Sequence, residues 1–275
     1  MRETAYAKIN LALHVRRRRE DGYHELETLF AFVDAGDELA AQQAAQDRFS
    51  IFGEFAAGLS FTDNLVLEAL HSMRNKPFEG VPPLSVELYK ALPVAAGLGG
   101  GSADAGAMIR LLDRVYVRNG DARELVLANT HLGADVAACI VSRTRIGRGT
   151  GAELEMVDDD IAGTPVLLVN PRVPLSTGPV FKAWDGKDRG ALPSGSAREI
   201  ALAGRNDLRA PAISLCPVIA EVLEALEATR PWKAEMSGSG ATCFALYDSE
   251  ATRDAASASL RETRPDWWQL AGKLR

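Results

Sequence analysis

Four glycines crowd one short segment, PVAAGLGGGSA at 93–103, directly ahead of a run with helical apolar spacing. Its residues are Pro93, Val94, Ala95, Ala96, Gly97, Leu98, Gly99, Gly100, Gly101, Ser102 and Ala103. The first N–H groups of a helix lack intrahelical partners, and glycine lets backbone come close to a ligand. Such a junction can cradle a polyphosphate through hydrogen bonds and the helix dipole. The plain alternative is a turn that only joins strand to helix. A sharper rival is a dinucleotide fold, since Gly97 to Ser102 nearly matches GxGxxG and Asp121 follows about 20 residues on. Against that rival, residues 91–96 intervene between strand and glycines, and the loop comes third or later in the strand order instead of in an opening βαβ unit. No lysine follows the glycines as in a Walker A loop, and the HRD and DFG elements of protein kinases are missing.

Phosphoryl transfer needs an acceptor hydroxyl held in line and positive charge against the moving oxygens. Lys8, on the polar face of the first strand, and Asp135, the lone carboxylate of the apolar run 134–141, are residues of the right type. An adjacent ammonium favours an ionised carboxylate, which can then orient a hydroxyl or take its proton. Local sequence also allows Lys8 as a surface lysine and Asp135 as a helix cap after Gly133. Tyr23 and His24 offer a ring that can stack on a base and an imidazole that can hydrogen-bond a base edge, or else they form an ordinary loop edge.

The elements that must position these groups can be read from apolar spacing. Alternation from Ala5 to Val15 predicts a half-buried strand with Lys8 and Asn10 together on its other face. Residues 16–22 read as an exposed hairpin loop with solvated arginines, Arg16 to Arg19, and 23–39 as further strand interrupted by Gly36. Helical spacing from Leu65 to Met73 follows Thr62, Asp63 and Asn64, any of which can cap it. Leu84, Val86 and Leu88 alternate in a short strand before the glycine loop. Helices are predicted from about Ser102 to Val117 and from about Ala122 to Gly133. Polar, glycine-rich stretches at 147–151 and 158–160 suggest a domain boundary ahead of a buried-type strand, Val166 to Val169. Ser237 to Gly240 precedes another alternating strand, Ala241 to Tyr247.

With 275 residues, 47% hydrophobic and 25% charged, the chain can bury one large core or two modest ones. A net charge of −6 argues against nucleic acid or an anionic membrane as partner. Cys139, Cys216 and Cys243 are odd in number and lack metal-site spacing, so neither a disulfide framework nor a zinc centre is indicated, and a reducing cytoplasm fits. No apolar signal core and no run of about 20 apolar residues occurs, so a soluble protein without membrane contact is expected.

The string PVAAGLGGGSADAGA resembles the phosphate-binding motif of the GHMP kinases, the galactokinase, homoserine kinase, mevalonate kinase and phosphomevalonate kinase superfamily. Its GLGGGS form is similar to the branch that phosphorylates a cytidine diphosphate-linked methylerythritol. Residues 7–11 (AKINL), Asp21-Gly22-Tyr23-His24 with Leu26 to Phe32, Gly133 to Val136 (GADV) and Met236 to Ala241 (MSGSGA) resemble that branch in order and spacing across nearly the whole chain. The resemblance implies a two-domain α+β fold: an N-terminal ribosomal-protein-S5-domain-2-like nucleotide domain over 1–155 and a C-terminal ferredoxin-like α/β sandwich over 156–275. It implies Lys8 and Asp135 as catalytic groups facing the accepting hydroxyl, with loop 93–103 and Asn64 around ATP. Asn10, Tyr23, His24, Thr177 and Phe181 would hold the substrate, Tyr23 and His24 on the cytosine and Phe181 as the opposing aromatic. Mg2+ is implied by ATP, with no protein ligand evident; Ser102 could reach a phosphate oxygen or the metal, and Asp104 would complement the helix dipole. The implied reaction is ATP-dependent phosphorylation of a 2-hydroxyl in non-mevalonate isoprenoid precursor biosynthesis, by a cytoplasmic monomer or weak homodimer. A kinase for homoserine or mevalonate, a dehydrogenase and a nucleotide-binding regulatory protein are the alternatives. The sequence departs from the family where Ala137 and Ala138 follow GADV, which predicts a smaller wall beside Asp135. It departs again in the looser 147–153 segment and at Gly106, a helix glycine costing up to about 1 kcal/mol. Trp267 and Trp268 read equally as core or interface.

Overall fold

The structure, a computed structural model, describes residues 1–75, 80–117 and 120–275. Its first half runs β1 (Arg2–Arg18), β2 (His24–Gln43), β3 (Arg48–Phe52), α1 (Leu65–Arg74), β4 (Leu84–Tyr89), α2 (Gly100–Leu112), α3 (Ala122–Leu127), α4 (Ala134–Val141), β5 (Arg145–Gly149) and β6 (Glu153–Glu155). These strands form one six-stranded sheet in the order β3-β4-β2-β5-β6, with β1 paired antiparallel along β2. The length of β2 lets its first part pair with β5 and its last part with β4. The second half runs β7 (Pro165–Asn170), α5 (Thr177–Lys182), α6 (Ala197–Ala203), α7 (Arg209–Leu215), α8 (Val218–Glu227), β8 (Lys233–Met236), β9 (Cys243–Leu246), α9 (Glu250–Thr263) and β10 (Trp268–Lys273). Its antiparallel sheet has the order β10-β7-β9-β8.

Alternation along β7 and β9 explains how the layers stack. Leu167, Val169, Cys243 and Ala245 pack with α7, α8 and α9, whereas Val166, Leu168, Phe244 and Leu246 pack with Ile9, Leu11, Leu29 and Ala31 of the first sheet. On its far side the first sheet is covered by α1, α2 and α4, through Val66, Leu70, Met108, Ile109, Val136 and Ile140. The result is a two-domain α+β fold with both sheets between helical layers.

This stacking corrects the reading of β1. The strand is buried on both faces, with Lys8 and Asn10 as enclosed as their apolar neighbours. Alternation detects one apolar face, but here the polar face is also covered, and its side chains satisfy each other: Lys8 Nζ donates to Asn10 Oδ1 at 3.0 Å. Gly36 does not interrupt β2. A Cβ there would lie 1.9 Å from the Ala5 carbonyl oxygen, so the glycine permits a close strand crossing beside the register shift between Tyr6 and Lys8. The helix expected from Ala122 to Gly133 breaks after Leu127. Asn129 Nδ2 donates to the Leu125 carbonyl at 2.7 Å, its Oδ1 accepts from Ser72 at 2.7 Å, and only a 3₁₀ turn, Thr130–Leu132, follows.

Gly106 has a packing reason that outweighs its helix cost. A Cβ at this position would meet the Cys139 carbonyl carbon at 2.7 Å, so the glycine lets α2 and α4 touch backbone to backbone. Ala137 and Ala138 are both buried, away from the cavity described below, and they do not alter its wall beside Asp135. Trp268 belongs to the core, edge-on to Phe55 at 6.3 Å, while Trp267 packs at the margin of the second core under Arg264.

Candidate active site

A cavity of about 870 Å3 opens where the two halves meet. One wall is the glycine loop and the start of α2, contributing Ala95, Ala96, Gly97, Gly99, Gly100, Gly101 and Ser102. The floor is Lys8, Asn10, Thr28 and Phe30 from β1 and β2, and Asp135 stands at the start of α4. Tyr23, His24, Thr177, Phe181 and Ser239 close the other end.

The loop is held open from behind. Ser237 Oγ donates to the Gly97 carbonyl at 2.8 Å and accepts from Asn10 N at 3.2 Å, and Thr242 N donates to the Ala96 carbonyl at 3.2 Å. Lys8 N donates to the Leu98 carbonyl at 3.1 Å. Gly97 has φ +75°, and a Cβ on it would lie 2.2 Å from the Ser237 carbonyl, so a side chain is excluded twice. Gly99, with φ +61°, caps α2 without any side-chain hydrogen bond, leaving the first N–H groups free for an anion.

Lys8 Nζ lies 3.1 Å from Asp135 Oδ2. The two differ in exposure: the lysine side chain is 5% accessible and the aspartate 39%, so the ammonium is fixed and the carboxylate faces the cavity. A chain of hydrogen bonds from Asn10 Nδ2 to Thr28 Oγ1 (2.8 Å) and on to the Ala12 carbonyl (2.7 Å) sets the orientation of Asn10 and hence of Lys8. Asp135 lies in the first turn of α4, whose N-cap is Gly133 without a side-chain bond, so the carboxylate is not a cap.

At the other end the Tyr23 ring is 65% exposed, a large aromatic left open to a partner ring. His24 packs against Phe181 at 4.9 Å and edge-on to Trp184 at 5.8 Å. Burial, and then the nearby Arg18, push the imidazole below its usual value, so it is neutral at physiological pH. Its Nε2 is buried with no hydrogen-bond partner, a free site for a ligand edge. Thr177 Oγ1 shares a hydrogen bond with Ser239 Oγ at 3.0 Å.

Several expected residues lie off the cavity. Pro93, Leu98 and Ala103 are buried behind the loop, Val94 is exposed on its outer side, and Asn64 Oδ1 caps α1 by accepting from Val66 N at 3.0 Å, with Leu65 next to it on the wall. The arginine run is not simply solvated. Arg16 pairs with Glu27 and Asp188, while Arg18 reaches the Trp184 carbonyl at 2.7 Å and joins the cavity wall, because β1 extends to meet the second half. Arg18, Lys182, Thr150 and Ser239 also line the cavity, and none of them has a local pattern that marks it as a site residue. Asp104 does not act at the helix dipole: it is buried and paired with Lys90, which the sequence reading also passed over.

These features agree with comparison to known proteins. Residues 64–143 match the model described as GHMP kinases N terminal domain, and 190–266 the model described as GHMP kinases C terminal. A 4-diphosphocytidyl-2-C-methyl-D-erythritol kinase from Erythrobacter litoralis is 60% identical over 99% of each chain. The protein of the same name from Novosphingobium aromaticivorans is 60% identical over 100% of this chain and 93% of its own. A crystal structure of 4-(cytidine 5'-diphospho)-2C-methyl-D-erythritol kinase superposes with a TM-score of 0.82 at 31% identity, covering 100% of this chain and 99% of the other. With a glycine loop, a buried lysine against an open carboxylate and an aromatic end on one cavity, the chain belongs to the 4-diphosphocytidyl-2-C-methyl-D-erythritol kinase family of the GHMP kinases.

Proposed function

We propose that the chain transfers the γ-phosphate of ATP to the 2-hydroxyl of 4-diphosphocytidyl-2-C-methyl-D-erythritol, giving the 2-phosphate and ADP, in non-mevalonate isoprenoid precursor biosynthesis. The observation that carries this reading is one cavity that holds the Lys8–Asp135 pair between a phosphate-type loop and an aromatic end. In this reading ATP lays its phosphates along Gly97 to Ser102, with Asn64 and Leu65 toward the nucleoside. The cytosine stacks on Tyr23 against Phe181, its edge bonded to His24 Nε2, and Asn10 and Thr177 hold the remainder.

Asp135 orients the 2-hydroxyl and accepts its proton as the oxygen forms its bond to the γ-phosphorus. The bond from that phosphorus to the β,γ-bridging oxygen breaks, and ADP leaves. Lys8 keeps the carboxylate in place and offsets charge on the transferring oxygens. Among the described residues no group of three His, Cys, Asp or Glu is gathered for a metal. This fits Mg2+ held chiefly by the nucleotide phosphates, and Ser102 and Asp135 are side chains on the cavity wall that would be available to it. When bound, the ion would reduce the negative charge that the hydroxyl approaches.

We propose action as a monomer or weak homodimer, and no helix among the described residues is long and apolar enough to cross a membrane. We place the domain boundary at 155/156, supported by the division of the two sheets between β6 and β7. The deciding experiment measures ADP release from Mg-ATP with 4-diphosphocytidyl-2-C-methyl-D-erythritol, homoserine, mevalonate or no acceptor. Stimulation by the cytidine compound alone is expected; stimulation by another alcohol would discard the base pocket.

A further inference from the structure

Behind the glycine loop lies a buried group of charges that the reaction above does not use: Lys90, Asp37 and Asp104, none of which lines the cavity. Asp37 Oδ1 accepts from the N–H groups of Ala91 and Leu92, at 2.6 and 2.8 Å, where the chain enters the loop. Lys90 Nζ donates to Asp37 Oδ2 and, at 2.6 Å, to Asp104 Oδ2 in the second turn of α2, beyond the loop. A Cβ on Gly100 would sit 3.5 Å from Lys90 Nζ, so the ammonium lies directly under the start of α2.

One ammonium therefore ties the chain entering the loop to the chain leaving it. Between the two ends, Ala95, Gly97 and Gly99 take left-handed φ values of 51°, 75° and 61°. A non-glycine residue in that region costs about 1 kcal/mol, so the open loop depends on how its ends are held. Apolar packing could bring the ends together, but hydrogen bonds fix direction as well as distance, and charge-assisted ones do so most strongly.

Resting on the ATP reading above, we propose that Lys90, Asp37 and Asp104 form a clamp that fixes both ends of the glycine loop and, through the loop, the position of the nucleotide phosphates. They are positioning residues, since none touches the nucleotide. Asp104 Oδ1 has no partner, so Oδ2 is the oxygen that takes part in the clamp. Asparagine keeps an acceptor oxygen and nearly the same volume, so it can replace Asp104 in the clamp.

The test is calorimetric ADP binding to the full-length protein, with the Michaelis constants of ATP and of the alcohol substrate measured alongside. Asp104→Ala is expected to weaken ADP and raise the ATP constant about tenfold while leaving the alcohol's constant within about twofold, and Asp104→Asn is expected to rescue both. Asp104→Leu, which fills the volume without accepting a hydrogen bond, takes the alanine variant's place should that variant not fold. The clamp is overturned by wild-type ADP affinity in the variant lacking the acceptor. Equal weakening of ADP and alcohol, without rescue by asparagine, overturns it as well. A wild-type protein that binds no ADP would remove the ATP reading itself, and the clamp with it.

Discussion

Two lysine–carboxylate groups flank the same loop, and they are built for opposite ends. Lys8 and Asp135 stand on the cavity side, the carboxylate 39% accessible and free to meet a substrate. Lys90, Asp37 and Asp104 lie behind the loop, all buried, with one ammonium shared by two acids. Residue types are the same in both; exposure and the count of charges separate them. An open carboxylate held by a fixed ammonium can meet a ligand's hydroxyl directly. A sealed cluster gives up solvation for geometry, which suits support and not turnover.

The largest effect should come from neutralising the open group. Asp135→Asn is expected to keep ADP binding but lower kcat by about 10²- to 10⁴-fold, the range for losing a general base. Near-normal turnover would move Asp135 out of the chemistry and erase the contrast. Next is the cost of emptying each lysine position, read by denaturant unfolding. Lys90→Met leaves two buried carboxylates facing each other and should cost about 3 to 5 kcal/mol. Lys8→Met mainly strands Asn10 Oδ1, costing about 1 kcal/mol, yet it should abolish most turnover. Equal stability losses would mean the two groups do the same work.

Smaller effects sharpen the picture. Tyr23→Ala should raise the substrate Michaelis constant roughly tenfold with little change for ATP, since an exposed ring contributes stacking and not support. An unchanged constant would undo the base-stacking proposal. Finally, burial raises the Asp104 carboxyl to about 7, which makes a pH signature. The folded protein holds a proton that the unfolded chain releases between about 4, the usual carboxylate range, and about 7. This stabilisation is complete below that window and lost as pH rises through about 7. Unfolding measured across the window should show a stability decline in wild type that flattens in Asp104→Asn, and identical slopes would place the titration elsewhere.

The candidate site was legible wherever a motif joined residues close in sequence. Gly97 to Ser102 declared a helix start, and Tyr23 and His24 stood side by side. The α1 cap at Asn64 and the strand at β7 followed from local pattern. Lys90 and Asp104 were not legible, because a lysine at a strand end and an aspartate near a helix start each have an ordinary surface explanation. Arg18 was hidden for a similar reason: an arginine run reads as a solvated loop until the second half of the chain is seen against it.

Taken alone, the sequence determined the motifs, the resemblance to the family and the elements around the glycine loop, because these depend on neighbours a few residues apart. Tertiary structure alone decided that β1 is enclosed on both faces, that Gly36 and Gly106 allow close backbone contacts, and which acids lie open or sealed. Those properties depend on what packs against a residue from far along the chain, as Asp135 meets Lys8 across 127 positions. Periodicity records which face of an element is apolar; it carries no record of what comes to cover the other.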